Sequence, residues 1–400
     1  MMERISRETY DGKLKPGELD EAHILNTYQE LNKATGTGYG KNWLQVEGAT
    51  GAPAPEALQM QQNIFKFSGA KDAAMLEEIN RLLTKDGKLA NWPDFKEAVL
   101  KLNNKYNINY LQAEWQTARH SGYMANLWQE YLDNANLFPN LKYKTQEDER
   151  VRLEHELLNN TIAPITSPFW DEFYPPNGWR CRCYVVQTAE KPDNNLPGVP
   201  PEDVKPEFRI NTGKSGQVFK EDGKAHPYFM LAKTSGTFKL AFELLKRSAP
   251  LNTMRKFKNG GIVRVSPFTD IRRDELFGNY RTAVALAEKE ALKVDLVAKL
   301  DGAIIKNVPN PEYLINGKIA DRKTPESLDY SKSLSRANKQ GCEIVVVDLS
   351  KNNDSVVNAI NAIDALLKKS KGTVHPNIKE VYVVSNDRKT VKHLKREKAD

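Results

Sequence analysis

Across 400 residues the chain carries only three cysteines and six histidines. Two of the cysteines, Cys181 and Cys183, stand one residue apart. No disulfide framework can be built from them, so synthesis in a reducing cytoplasm is expected. No apolar run is long enough to cross a bilayer, and the opening MMERISRETYDGK offers no secretory signal. No membrane partner is therefore expected. A phosphate-binding loop is also missing. Gly213-Lys214-Ser215 ends like one, but the glycine required five positions earlier is Phe208 and no strand leads in. Tryptophan is absent from everything after residue 180: Trp43, Trp92, Trp115, Trp128, Trp170 and Trp179 all precede it.

Charge is just as unevenly spread. Residues 251–400 hold 28 Lys and Arg against 19 Asp and Glu, a net +9, whereas the first 250 hold 31 against 33, a net −2. This length exceeds one ordinary core and predicts two or three domains. A basic C-terminal module fits a polyanionic partner, RNA or DNA.

The pattern predicts a multi-domain chain, an α-rich (α+β) N-terminal module followed by a small α/β module. Residues 1–62 read as an extension of short helices and an exposed loop, because TGTGYG and EGATGAPAPEA are rich in turn formers. Over 63–136 the spacing is helical: Ile79, Leu82 and Leu83 fall at i, i+3 and i+4, and Leu111, Trp115, Ala118, Leu127 and Trp128 form a longer stripe. Gly122 interrupts that stripe at a cost of roughly 1 kcal/mol. The proline-rich stretch after Cys183 reads as loop, and 236–255 as a linker. From 256 on, strands at GIVRVSP, VDLVAKL, EYLINGKIADRK, CEIVVVDL and IKEVYVVSND alternate with helices at DELFGNYRTAVALAEKEALK and 356–369. Asn316-Gly317 is a hairpin turn, and a basic tail closes the chain.

The segment Thr145–Cys183 gathers chemistry. His155, Cys181 and Cys183 have the right donors for zinc, with Asp148 as a candidate fourth ligand. The alternative is a polar cluster in which Arg150, Arg152 and Arg182 pair with Asp148 while the cysteines pack as small apolar groups. The run Asp148, Arg150, Arg152, His155, then Pro175-Pro176, then Cys181-Arg182-Cys183 resembles the F-like minor head proteins of Mu-type tailed phages. The likeness covers about 63–235 and extends to the HPYF segment, His226 to Phe229. It departs where Gly178-Trp179-Arg180 stands in place of a hydrophobic residue and Asn. The resemblance implies a head-morphogenesis protein in the virion, with portal and capsid proteins as partners.

A second constellation lies in PEYLINGKIADRK. The turn folds Glu312 back towards the second strand, and strand alternation puts Asp321 and Lys323 on one face. Two carboxylates and a lysine can hold a divalent ion and stabilise phosphoryl charge. The alternative is a solvated edge strand. The order of helix, PEYLING hairpin, DRK, a helix ending ANKQG and EIVVVDL resembles the nuclease domains at the C-termini of contact-dependent inhibition toxins. Here Pro311-Glu312 replaces Pro-Asp and Asp321-x-Lys323 replaces Glu-x-Lys. This second resemblance implies a toxin module at 256–400 that cleaves RNA, with tRNA the expected substrate and an immunity protein as a further partner. Asp321 and Lys323 would be central, Glu312 and Glu290 metal ligands for Mg, Mn or Zn, and Gln340 a polar contact. In a metal-free, barnase-like variant of that likeness, Lys318 would join Lys323 and Asp321. His375 and His393 read as surface residues, and Tyr313, Tyr330 and Tyr382 as either base-stacking platforms or core. The competing function is a purely structural head protein whose basic domain binds packaged DNA without catalysis.

Overall fold

In the computed structural model the described residues are 1–40, 43–46, 51–85, 88–197, 204–222, 226–234, 236–306, 308–369 and 374–396. They fall into two compact units, Met1–Trp43 with Gln59–Phe242, and Leu44–Leu58 with Glu243–Asp400. Residues 198–203 of the expected proline-rich loop and the last four residues of the basic tail lie outside the described residues.

The first unit is organised by the paired helices Glu21–Tyr39 and Leu111–Asp133. Asp20 caps the former by accepting the His23 N–H at 2.8 Å. The turn formers at TGTG predicted a loop, yet the helix runs through Gly36 and Gly38 to Tyr39. Close packing is the reason. A Cβ on Gly38 would lie 1.8 Å from the Arg119 carbonyl oxygen, and one on Gly122 would lie 2.2 Å from that of Thr35. Glycine at these two places lets the helix backbones touch. Beside them the helix Pro55–Arg81 contributes Lys71 and Asp72. Lys71 Nζ meets Glu114 Oε2 at 2.5 Å and Asp72 Oδ1 meets His23 Nδ1 at 2.7 Å, with all four residues fully buried. Such charges persist in a core only as pairs.

The same unit holds a three-stranded antiparallel sheet with Asn140–Lys144 at its centre, between Ile162–Pro164 and Tyr184–Thr188. The last of these was expected as loop. Its alternation sends Val185 into a core with Tyr143, Trp170, Tyr174, Cys181 and Cys183.

The second unit is built on one eight-stranded mixed sheet whose strands lie side by side in chain order. They are Asn252–Lys256, Ile262–Val265, Lys293–Leu296, Tyr313–Ile315, Lys318–Lys323, Ile344–Asp348, Glu380–Val384 and Val391–Lys395. One face carries Val263, Val294, Tyr313, Ala320, Val346 and Val384 against the helix Arg273–Glu290. The other carries Val345, Val347, Val381 and Val383 against the helices Ser331–Lys339 and Val356–Lys369. Two expectations change here. Residues 236–255 are not a plain linker, since they form the helix Gly236–Leu245 and most of the first strand. Val391–Lys395 in the basic tail is the opposite edge strand. Both edges are protected by exposed cations, Arg255 and Lys256 on one and Lys392 and Lys395 on the other. Part of the basic excess therefore serves to keep edges from pairing with other chains.

The helix contact in the first unit can be checked at Gly122. Replacing it with alanine gains helix propensity but forces the backbones apart. We expect Gly122→Ala to destabilise the first unit by about 1–3 kcal/mol in urea denaturation. An unchanged or raised midpoint would refute the close contact.

Candidate functional site

The hairpin Tyr313–Ile315 to Lys318–Lys323 pairs Ile315 with Lys318 and Tyr313 with Ala320. The Asn316-Gly317 turn, with φ of 48° and 82°, fixes that register. One step further along, Glu312 comes opposite Asp321. Asp321 and Lys323 pair with Val345 and Val347 on the neighbouring strand and share their face, while Arg322 pairs with Val346 and points the other way. Asp321 is 2% exposed and is hydrogen-bonded to Lys323 Nζ. Lys323 Nζ also donates to Gln340 Oε1 at 3.3 Å. Burial, then the negative charge of Asp321, pushes the Glu312 carboxyl up to about 7. Burial likewise holds Asp321 above the ordinary carboxylate value, against the pull of Lys323. Glu312 Oε2 is enclosed and has no hydrogen-bond partner.

On the opposite face Arg322 is locked in place. Its Nε donates to Asp348 Oδ2 at 2.9 Å and its Nη1 to Asn279 Oδ1 at 2.8 Å. Asp348, fully buried, also accepts from the Thr282 hydroxyl at 2.6 Å and from Arg388 at 3.2 Å. Burial would raise this carboxyl, but the Thr282 hydroxyl and the two guanidiniums outweigh it and hold it below its usual value. The hub clamps adjacent strands together at the level of Asp321 and Lys323.

The helix carboxylate nearest this group is Glu275. Its Oε2 lies 3.8 Å from Arg322 Nη1, and its charge adds to the upward push on Glu312. Sequence reasoning chose Glu290 instead, and the structure does not bring Glu290 to the group. Asn279, which touches Arg322, precedes Glu290 by eleven residues on one helix, a separation of about 16 Å. The charge of Glu290 bears on Tyr382. The available sign of Glu275 was its position among the acidic residues of the first helical turn, an ordinary feature of helices.

Other expected residues are dispersed. Lys318 pairs with Glu380 at 2.6 Å, about 16 Å along the strand from Lys323. His393 bonds the same Glu380 at 3.0 Å and stacks on Tyr382, with ring centroids 4.3 Å apart. His375 sits in a left-handed turn with φ of 59°. Tyr313 donates to the Asn279 carbonyl at 2.8 Å and Tyr330 to Asp354 at 2.6 Å, and both rings are core. These contacts disfavour stacking of bases on those rings.

In the first unit, Asp148 is not beside His155. It accepts two bonds from Arg182, at 2.7 and 2.6 Å, with Arg150 at 3.8 Å, and the Arg182 bonds hold its carboxyl down to about 2. Arg152 instead donates to the Trp179 carbonyl at 2.6 Å. The expected cluster of three arginines on Asp148 thus reduces to one tight pair and one loose contact. Pro175-Pro176 is a cis peptide. His155, Cys181 and Cys183 do meet, with one donor atom from each, all within 4.8 Å and all buried. They line a cleft of about 1010 Å³ together with Arg150, Arg152, Arg180 and Arg182.

Two family models match this chain. One, described as Phage Mu protein F like protein, covers residues 57–186, and the other, Contact-dependent growth inhibition CdiA C-terminal domain, covers 309–390. The first match includes Asp148 through Cys183, and the second includes Glu312, Asp321, Lys323 and Gln340. "Putative capsid assembly protein F" of Escherichia phage Mu is 34% identical over 85 residues, which is 21% of this chain and 17% of that protein. The Mu-like prophage FluMu F protein of Haemophilus influenzae (strain ATCC 51907 / DSM 11121 / KW20 / Rd) is 32% identical over 165 residues, 41% of this chain and 38% of that protein. The chain thus spans less than two fifths of the length of these curated relatives. A solved CdiA-CT/CdiI toxin and immunity complex from Burkholderia pseudomallei is similar at 21% identity over 32% of this chain and 89% of that chain, but its TM-score of 0.24 says nothing of the fold. The chain is a fusion. It joins a phage Mu F-like domain to a CdiA C-terminal domain.

The opposed carboxylates make a pH prediction. A carboxyl whose folded pKa exceeds its unfolded one favours folding at low pH and loses that contribution as pH rises through the folded value. For Glu312 the window runs from about 4.5 to about 7. Glu312→Gln should therefore stabilise the second unit by roughly 2 kcal/mol at pH 8 and by little at pH 4, read from denaturant midpoints. A pH-independent difference would contradict the buried, mutually repelling pair.

Proposed function

We propose that residues 256–400 are a nuclease that cleaves RNA, with tRNA as the substrate, and that the N-terminal module carries it in a phage particle assembled in the bacterial host cytoplasm. The observation that carries this reading is the opposition of Glu312 and Asp321 beside Lys323 in a module with a net charge of +8. Phage portal and capsid proteins are the partners that the first module suggests, and a small acidic immunity protein is the one that the second suggests.

The donor set fits a divalent cation. Glu312 Oε2 is enclosed without a partner, and the Glu312–Asp321 repulsion is of the kind a cation relieves. Glu312 and Asp321 would hold it, and when bound it would supply Lewis acidity and a more acidic water. The chain's own residues do the remaining work. Lys323 lies hydrogen-bonded beside Asp321, placed for the charge that develops on a phosphoryl oxygen. Gln340 orients Lys323 from the neighbouring helix end. Asp348 and Asn279 fix Arg322, and so fix the register of Asp321. Surface lysines and arginines give sequence-blind attraction to the RNA backbone.

Expression in bacteria tests this reading. The wild-type chain should arrest growth, and Asp321→Asn and Lys323→Met should each relieve the arrest at equal protein levels, while Glu290→Gln leaves it intact. Equal growth of wild type and Asp321→Asn would remove the nuclease reading and leave a structural, DNA-binding role.

A further inference from the structure

We infer that the Mu F-like unit holds one zinc ion through His155 Nδ1, Cys181 Sγ and Cys183 Sγ, a site separate from the carboxylate group of the second unit. Distances carry the argument. His155 Nδ1 lies 3.7 Å from Cys181 Sγ and 3.5 Å from Cys183 Sγ. In a tetrahedral zinc site with Zn–S of about 2.3 Å and Zn–N of about 2.05 Å, the nitrogen-to-sulfur edge is about 3.6 Å. Both nitrogen-to-sulfur edges match it, and all three donor atoms lie within 4.8 Å of one another.

The protonation pattern points the same way. His155 Nε2 is 3.2 Å from the Asn177 carbonyl oxygen, which can only accept. That bond puts the ring hydrogen on Nε2 and leaves the Nδ1 lone pair facing the two sulfurs. A carbonyl on the far nitrogen is the usual way a zinc-binding histidine is oriented. Cys181 and Cys183 flank the less buried Arg182, and both bring their sulfurs to His155. Both are free thiols.

Three ligand atoms leave one tetrahedral position, and all three residues line the cleft, so solvent supplies the fourth ligand. The ion ties the short helix Leu153–Glu156 to the Cys181–Cys183 segment and closes the intervening chain into a loop. Two soft thiolates and an imidazole select zinc over magnesium. Asp148, engaged with Arg182, is not needed.

The test is metal analysis of the full-length chain purified under reducing conditions without added chelator. One zinc per chain is expected in wild type, in Asp148→Ala and in Cys342→Ser, whose thiol lies in the second unit. Cys181→Ser and His155→Ala should lose it. Cobalt loaded into chelator-stripped wild type gives a readout independent of any variant's folding: thiolate charge-transfer absorption and intense tetrahedral visible bands are expected. Wild type purified without zinc and binding cobalt without thiolate bands would overturn the proposal. So would a Cys181–Cys183 disulfide found by mass spectrometry in the reduced, as-purified chain. Asp321→Asn should keep its zinc, which separates this result from the fate of the nuclease reading.

Discussion

The second unit depends on a two-residue turn. Asn316-Gly317 adopts the left-handed backbone that a tight hairpin requires, and this fixes which residues face one another across the strands. Slipping the pairing by one residue would turn Asp321 and Lys323 to the opposite face and send Arg322 away from Asp348. In the observed register two carboxylates are buried against each other beside one lysine, while Arg322 is clamped behind them by Asp348 and Asn279. The clamp holds in place an arrangement that electrostatics alone would push apart, and the raised Glu312 pKa is the sign of that tension. Strain of this kind at a polar cluster more often marks a binding or reacting site than a structural one.

The two units offer different donor sets. Thiolates and imidazole in the first favour a soft ion that fastens two segments of chain together. Carboxylates in the second suit a hard cation. The basic charge of the second unit is likewise divided. Arg255, Lys256, Lys392 and Lys395 protect sheet edges, and Arg322 and Arg388 neutralise Asp348.

Much of the second unit could be read in the sequence, because its strands are apolar runs and its hairpin has a strong turn signal. The face shared by Asp321 and Lys323 followed from alternation alone. Glu275 could not be found that way. Periodicity identifies the helix 273–290 but not which of its ends lies over the strand termini, so Glu290 was chosen from the wrong end. The edge strands Asn252–Lys256 and Val391–Lys395 were hidden by their charge, the same charge that edges need. In the first unit the glycines at 36–40 looked like a loop, because close helix contact and turn formation call for the same residue. His155 and the two cysteines were visible as candidate ligands. Their spacing, however, could not say whether Asp148 would join them, and it is the pairing with Arg182 that keeps it away.

The most direct measurement is cleavage of total bacterial tRNA by the purified full-length chain, with magnesium, manganese or zinc supplied in turn and products resolved on denaturing gels. The account predicts discrete fragments with at least one ion, a rate that rises with pH through about 7 as Glu312 ionises, and no fragments from Asp321→Asn. Intact tRNA under all three ions, from protein shown to be folded, would contradict it.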